Sequence, residues 1–172
     1  MFRVLIGDLF DSRAQTLVNA VNCAGVMGKG IAEQFKRRFP AMFEDYRRRS
    51  KRKQVRLGEP YLYRDSSGVQ IVNFPTKDHW RSPSRLADIE RGLDHLAKHA
   101  VEWGITSLAL PALGCGAGGL QWSEVGPLIY HKLDKLPIDI ELYAPYGTSQ
   151  QQLTPEFLSA PSDEPAQHRS QA

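Results

Sequence analysis

The sequence is short of cysteine. With only Cys23 and Cys115 in 172 residues, neither a disulfide framework nor a four-cysteine zinc site can be built. No apolar run approaches the roughly 18 residues of a membrane-spanning helix, and the mean hydropathy is −0.40. The opening Met1–Asp8 holds an apolar run too short for a secretory leader and has no small-residue cleavage site, so a cytoplasmic location away from membranes is expected. Metal-ligand patterning is equally thin. His95 and His99 stand four apart, but without the glutamate of an H-E-x-x-H helix, so no metal is expected. What remains is 41% hydrophobic and 24% charged, a globular composition, and 172 residues suit one core better than two.

The net charge of +3 is also small, but it is unevenly spread. Ten basic residues lie between Lys36 and Arg56, opposed only by Glu44 and Asp45, so that stretch carries +8 and the rest of the chain −5. Such asymmetry fits a surface that meets a polyanion, with nucleic acid the first candidate. The alternative is a solvated helix face that keeps the protein soluble.

Short β-branched runs alternate with helical periodicity. Arg3–Ile6, Leu17–Asn22, Thr106–Pro111 and Ile138–Tyr143 read as strands. Pro60–Arg64 and Val69–Phe74 flank the turn Asp65-Ser66-Ser67-Gly68 and read as a hairpin. Helices are expected at Gly28–Phe39, at Ala41–Lys53 and, most firmly, at Ser84–Trp103, where Leu86, Ile89, Leu93, Leu96, Ala100 and Trp103 share one face. A further helix, marked by Trp122, Val125, Ile129, Leu133 and Leu136, has Ser123 as a candidate cap and Pro127 in or just after its first turn. Thr148–Ala172, rich in Gln, Pro and Ser, reads as a disordered tail or linker. The folded domain is therefore expected over 1–147, with a layered α/β architecture.

Two glycine-rich loops each follow a strand and precede a helix: Asn22–Ile31, with Gly25, Gly28 and Gly30, and Gly114-Cys115-Gly116-Ala117-Gly118-Gly119-Leu120. Glycine lets the backbone come close to a ligand, and a helix N-terminus offers unpaired N–H groups to an anion. Two such loops at one sheet edge could grip a diphosphate; the plain alternative is a pair of tight strand–helix turns. A phosphate-binding P-loop is excluded, because Gly28-Lys29-Gly30 lacks the Ser/Thr after its lysine. Gly114, Gly116 and Gly119 also satisfy G-x-G-x-x-G with Asp139 downstream, but too little chain follows to complete a dinucleotide-binding sheet. Neither cysteine has a histidine neighbour to activate it, so both read as small, partly buried residues.

Taken together, Gly7-Asp8-Leu9-Phe10, Val18-Asn19-Ala20-Val21-Asn22, Gly28-Lys29-Gly30-Ile31-Ala32 and Gly114–Leu120 resemble a macrodomain, over about Arg3 to Tyr146. Asn73-Phe74-Pro75-Thr76-Lys77-Asp78-His79-Trp80-Arg81 and Leu113-Gly114-Cys115-Gly116, with Leu120-Gln121-Trp122, resemble the branch that holds the DarG antitoxins and the terminal ADP-ribose protein glycohydrolase. The resemblance implies a three-layer α/β/α sandwich around a mixed sheet of about six strands, with ADP-ribose, as ligand and product rather than cofactor, in a cleft at the strand ends. Asp8, beside Leu9, would accept from the adenine amino group, although an aspartate there can equally cap a turn. Asn22 would bind the distal ribose. Gly28, Gly30, Ile31, Gly114, Gly116, Ala117, Gly118, Gly119 and Leu120 would cradle the diphosphate and ribose. Tyr143 or Tyr146 would stack on adenine.

Lys77 is the catalytic candidate: its amine would attack the anomeric carbon of the distal ribose. The human enzyme of this branch has an aspartate where this chain has Gly118, so a partner acid or base is not supplied from that position. His79, Trp80 and Arg81, with Arg47, Arg48 and Arg49, are candidate DNA contacts; a plain core anchor is the alternative for Trp80. The reading is thus a monomeric glycohydrolase that removes ADP-ribose from DNA bases, thymidine in single strands first, as antitoxin to a DarT-type transferase. A non-catalytic ADP-ribose reader and a hydrolase of ADP-ribosylated Glu or Asp are the competing classes.

Overall fold

The alternation of strands and helices closes, in the computed structural model, into a single six-stranded sheet with helices on both faces; the structure describes residues 1–161. The strands are β1 (Phe2–Leu5), β2 (Thr16–Asn22), β3 (Tyr61–Arg64), β4 (Gln70–Lys77), β5 (Ser107–Pro111) and β6 (Asp139–Tyr143). The helices are α1 (Gly30–Arg38), α2 (Pro40–Lys51), α3 (Leu86–His99), α4 (Trp122–Leu133) and α5 (Pro155–Ser159). The spatial order is β1-β6-β5-β2-β4-β3, parallel except for β3, which pairs antiparallel with β4 through the expected hairpin.

Each face of the sheet has its own apolar core. Leu17, Val21 and Ile71 face Phe35 of α1 and Met42 and Tyr46 of α2, while Val18, Val72, Phe74, Leu108 and Leu110 face Ile89, Leu93 and Leu96 of α3 and Val125 and Ile129 of α4. β2 is central and covered on both sides, which explains its nearly continuous apolar sequence. The expected three-layer sandwich and mixed sheet are therefore observed.

Three local expectations are corrected. Gln121, not Ser123, occupies the N-cap of α4, because the helix begins at Trp122, whose ring is buried and whose Nε1 donates to Gln152 O at 3.0 Å. Pro127 consequently falls in the second turn, past the positions where its missing N–H is free of cost. The chain also does not leave the fold at Thr148. Gln150–Leu153 forms a 3₁₀ turn and α5 follows, capped by Thr154 Oγ1 accepting from Phe157 N, with Leu158 only 2% exposed. Polar composition hid a segment that needs only Leu153, Phe157 and Leu158 to dock on the α4 side of the core. Residues 162–172 of that expected tail lie outside the described residues.

If this segment is part of the domain, Leu158→Ala should cost about 2–4 kcal/mol of unfolding free energy in urea. A midpoint equal to that of the unsubstituted chain would show that the segment adds nothing to the core.

Candidate functional site

In a parallel sheet every carboxyl end points the same way, so the segments after β1, β2, β4, β5 and β6 meet along one edge. These segments carry Asp8, the Asn22–Ile31 loop, Lys77 and its loop, Gly114–Leu120, and Tyr146, respectively. β2 and β5 are neighbours but their connections diverge, through α1 and α2 toward β3 and β4 in one case and through α4 to β6 in the other. Such a switch point leaves a crevice outside the strand ends. The two strands pair at Thr16↔Leu108 and Leu17↔Ala109, near their amino ends, and no further pairs form between them among the described residues. The two glycine loops flank the gap that results.

The first loop delivers the N-terminus of α1. Gly30 begins the helix at φ +56, a conformation that favours glycine, and a Cβ placed there would meet open space. The Lys29 N-cap makes no side-chain cap bond, so the first-turn N–H groups at Gly30 and Ile31 face the crevice edge as donors for an anion. Asn22 organises this loop from inside: its Nδ2 donates to Val26 O at 2.8 Å, and its Oδ1 accepts from Ala24 N at 2.9 Å. Tyr46 on α2, fully buried, places its hydroxyl 2.7 Å from Asn22 O and 2.9 Å from Asn22 Oδ1, with its own pKa pushed up by burial. One Nδ2–H remains for a ligand ribose. Sequence reading missed Tyr46, whose visible signal was that of an ordinary apolar anchor.

The second loop is drawn tight. Leu120 N donates to Gly114 O, Gly119 N to Gly116 O, and Ser84 N to Gly118 O, which leaves Gly116, Ala117 and Gly119 on the surface. Gly118 is buried, and a Cβ there would collide with Ser84 Oγ and lie 2.6 Å from Gly114 O. The structure thus gives a physical reason for glycine at 118: no carboxylate can be carried from that position while Ser84 and the loop backbone stay in place. Ser84 had no signal in the sequence. Cys115 in this loop and Cys23 in the first are half-buried, and burial raises both thiols to about 11, so neither is a thiolate nucleophile at neutral pH.

Lys77 ends β4 in register with Asn22, across a bulge after Val21. Its Nζ donates to Trp80 O at 2.9 Å, closing a short loop in which Arg81 N donates to His79 Nδ1 at 3.2 Å and Ser82 N to His79 O at 3.0 Å. Cys23 N donates to Lys77 O at 3.1 Å, which ties this loop to the first glycine loop. His79 stacks on Trp80 with 3.6 Å between ring centroids. Trp80 is 45% exposed, so the core-anchor alternative does not describe it.

At the other end of the edge, Asp8 is exposed and caps a turn, the alternative the sequence offered for it. Its Oδ1 accepts from Phe10 N at 2.9 Å, capping a 3₁₀ turn that starts at Leu9, while Oδ2 can still accept from a ligand. Tyr143 is half-buried and its hydroxyl donates to Glu141 Oε2 at 3.0 Å, so its ring is fixed against the sheet, whereas Tyr146 is 77% exposed. Asp139 opens β6 at the opposite end of the strand from the glycine loops and binds the Met1 amine at 3.0 Å, which disposes of the dinucleotide pattern.

The basic stretch separates into two sets. Lys36 lies over Phe43 at 4.4 Å and Arg38 over Phe10 at 4.2 Å. Arg49 covers the Tyr61 ring at 4.5 Å while binding Asp45 at 2.8 Å. Arg49 is therefore turned into the α2–β3 contact rather than toward a ligand. Arg47 keeps a loose pair with Glu44 at 3.4 Å, and Arg48, Lys51 and Arg52 are exposed with no ion pair among the described residues. Ser50 Cβ and the site of a Cβ on Gly25 would be 3.1 Å apart, so the carboxyl-terminal half of α2 runs beside the first glycine loop. Arg81 is likewise exposed next to Trp80. Among the described residues no helix is long and apolar enough to cross a membrane.

Comparison with known proteins agrees with this geometry. The family model described as Macro domain matches residues 18–129, more than half of the chain. The chain is 46% identical over 149 residues to a Mycobacterium tuberculosis protein named DNA ADP-ribosyl glycohydrolase, covering 84% of this chain and 42% of that protein. Among solved structures, Thermosipho africanus DarTG in complex with ADP-ribose superposes with a TM-score of 0.86 at 41% identity, over 91% of this chain and 45% of that one. The macrodomain of Mycobacterium tuberculosis DarG superposes at 0.82 and 44% identity, over 84% and 98%. The chain thus spans less than half the length of curated relatives of this kind that it matches.

Because Tyr46 O–H supports two buried acceptors on Asn22, Tyr46→Phe should lower unfolding free energy by about 1–2 kcal/mol and weaken ADP-ribose binding in calorimetry. Unchanged affinity would mean that the Asn22 loop holds its shape without Tyr46. The thiols make a separate prediction. Iodoacetamide labelling of Cys23 and Cys115 in the folded protein should be slow at neutral pH and rise only as pH approaches about 11. A rate that levels off near pH 8 would contradict the burial described for them.

Proposed function

The chain belongs to the macrodomain family, and from that premise we propose that it removes ADP-ribose from modified bases of DNA, with Lys77 as the nucleophile. The observation that carries this reading is the meeting, on one sheet edge, of a lysine amine and two glycine loops at a β2–β5 switch point. The first-turn N–H groups of α1 and the exposed backbone of Gly116 and Ala117 supply donors for a diphosphate. Asp8 and the exposed Tyr146 suit the adenine end, in place of the pinned Tyr143. Asn22 and Lys77, in register on neighbouring strands, suit the distal ribose.

In the reaction, Lys77 Nζ leaves Trp80 O and the lone pair of its neutral amine bonds to the anomeric carbon of the distal ribose. The bond to the base breaks, its electron pair goes to the base nitrogen, and a proton lost from the Lys77 nitrogen joins the base nitrogen. The bond between the anomeric carbon and the ring oxygen then breaks, the second amine proton passes to that oxygen, and the opened sugar is left as an imine on Lys77. Water then adds to the imine carbon, which frees the lysine and releases ADP-ribose. With no carboxylate possible at Gly118, proton transfers fall to water, to substrate hydroxyls or to His79, whose Nδ1 accepts from Arg81 N and leaves Nε2 as the protonated nitrogen.

The macromolecular substrate is read from charge. Arg48, Lys51 and Arg52 are exposed at the carboxyl-terminal end of α2 with no ion pair among the described residues, cations suited to the phosphates of a single strand. The named relatives act on ADP-ribosylated DNA, and one is fused to a DNA ADP-ribosyl transferase. On this basis the chain is an antitoxin domain that works in the cytoplasm against a DarT-type transferase, on thymidine in single-stranded DNA.

The test is an ADP-ribosylated single-stranded oligonucleotide and a Glu-ADP-ribosylated protein, each incubated with the unsubstituted chain and with Lys77→Ala. Release from the oligonucleotide that falls on the order of 10³-fold or more in Lys77→Ala is expected. Release from the protein alone would move the substrate to protein carboxylates, and release from neither would make the chain a reader. Independently, replacing Arg48, Lys51 and Arg52 by Gln should weaken oligonucleotide binding and flatten its log–log salt slope by about 2. Free ADP-ribose should bind as before; an unchanged slope would return the basic stretch to a solubilising role.

A further inference from the structure

Among the described residues six large apolar side chains are exposed, and of these Ile6, Val26, Trp80 and Tyr146 all lie in segments after the carboxyl ends of strands, on the edge that holds the crevice. Exposed indole is costly, because a tryptophan buries more apolar surface than any other side chain. The cost is more telling when the ring is held still. Trp80 sits in a loop closed by three hydrogen bonds, Lys77 Nζ to Trp80 O, Arg81 N to His79 Nδ1 and Ser82 N to His79 O. The His79 imidazole covers one face of the indole at 3.6 Å and 31°. The residue is still 45% exposed, which leaves indole surface open to water. An aromatic ring backed by another ring and still open to water is a surface for a further flat ring.

From this we infer that Trp80, backed by His79, is the platform on which the leaving base stacks, so that it sets the enzyme's preference for a nucleobase as leaving group. The inference rests on the reading of Lys77 as nucleophile, since it is Lys77 that puts the bond to be broken next to Trp80: its amine is 2.9 Å from the Trp80 carbonyl. A base on the indole lies at the end of the distal ribose farthest from Asp8 and Tyr146, because β4, which carries Lys77, and β1, which precedes Asp8, are separated by β6, β5 and β2. The ligand is thus held at its two ends by aromatic rings and between them by backbone donors. Stacking of this kind accepts any base, so Trp80 distinguishes nucleobase from carboxylate rather than one base from another. The loop also links recognition to chemistry. The same backbone carbonyl that precedes Arg81 holds the nucleophile, so a base that shifts Trp80 shifts the acceptor of the Lys77 amine.

Steady-state kinetics on the ADP-ribosylated oligonucleotide test this, with calorimetry on free ADP-ribose as the control. Trp80→Ala should raise KM for the oligonucleotide roughly ten- to hundredfold. Trp80→Phe, which keeps an aromatic face, should recover most of that loss, and the affinity of both variants for free ADP-ribose should stay within about twofold, as no ADP-ribose contact is assigned to the ring. Equal KM in all three proteins overturns the platform while leaving the glycohydrolase reading in place. So does a loss that Trp80→Phe fails to recover, or one matched by loss of ADP-ribose affinity, since either marks a role in holding the loop. An unsubstituted chain inactive on the oligonucleotide overturns the glycohydrolase reading, and the platform with it.

Discussion

Everything at the candidate site depends on two parallel strands whose connections leave in opposite directions. β2 and β5 pair near their amino ends and part toward their carboxyl ends, and the chain after each turns at once into a glycine loop. A parallel sheet forces those loops, Lys77 and Asp8 to one edge, whatever their distance in sequence. The helices matter to function mostly as buttresses: α2 holds the first loop through Tyr46, and the segment leading into α3 holds the second through Ser84. Tyr46 and Ser84, neither of them assigned a ligand contact, thus brace the two halves of the cleft.

The parts of this arrangement that were legible in the sequence are those set by local rules. α3 shows its apolar stripe at helical spacing, and the β3–β4 hairpin announces itself in Asp65-Ser66-Ser67-Gly68, where Ser67 N donates to Asp65 Oδ2 and Gly68 N to Asp65 O. Lys77 was singled out through the family resemblance rather than by a local rule, and it lies at the end of β4 in register with Asn22. What was hidden is non-local. Tyr46 acts on a residue 24 positions earlier, and Ser84 acts on Gly118 by filling space, which leaves no pattern in composition or period. The segment after Thr148 was misread because its few apolar residues are too sparse to form a stripe, and their worth comes from a groove already built by α4. Arg49 was grouped with its neighbours for the same reason: charge is visible in a sequence, but direction is not.

The basic helices show how one composition can serve two ends. Lys36, Arg38 and Arg49 lay their cationic groups over Phe43, Phe10 and Tyr61, so part of the apparent polyanion surface is structural packing. Beneath Arg49, a buried polar row crosses three strands: Asn19 Nδ2 donates to Asn73 Oδ1 at 3.1 Å, and Asn73 Nδ2 to Tyr61 Oη at 3.1 Å. A slip of one residue in strand register would break that row and leave its amides unpaired in an apolar setting. It therefore helps to fix the position of β4, and with it the height at which Lys77 emerges.

The contact between Gly118 and Ser84 has an evolutionary consequence. Any side chain added at 118 would meet both Ser84 and the carbonyl of Gly114, one of them backbone, so no single neighbouring substitution makes room for it. A lineage with this loop cannot acquire an acidic group at that position by one tolerated mutation; the loop itself must first be rebuilt. The packing of two small residues thus acts as a barrier to new chemistry at that position for as long as the loop keeps its present path.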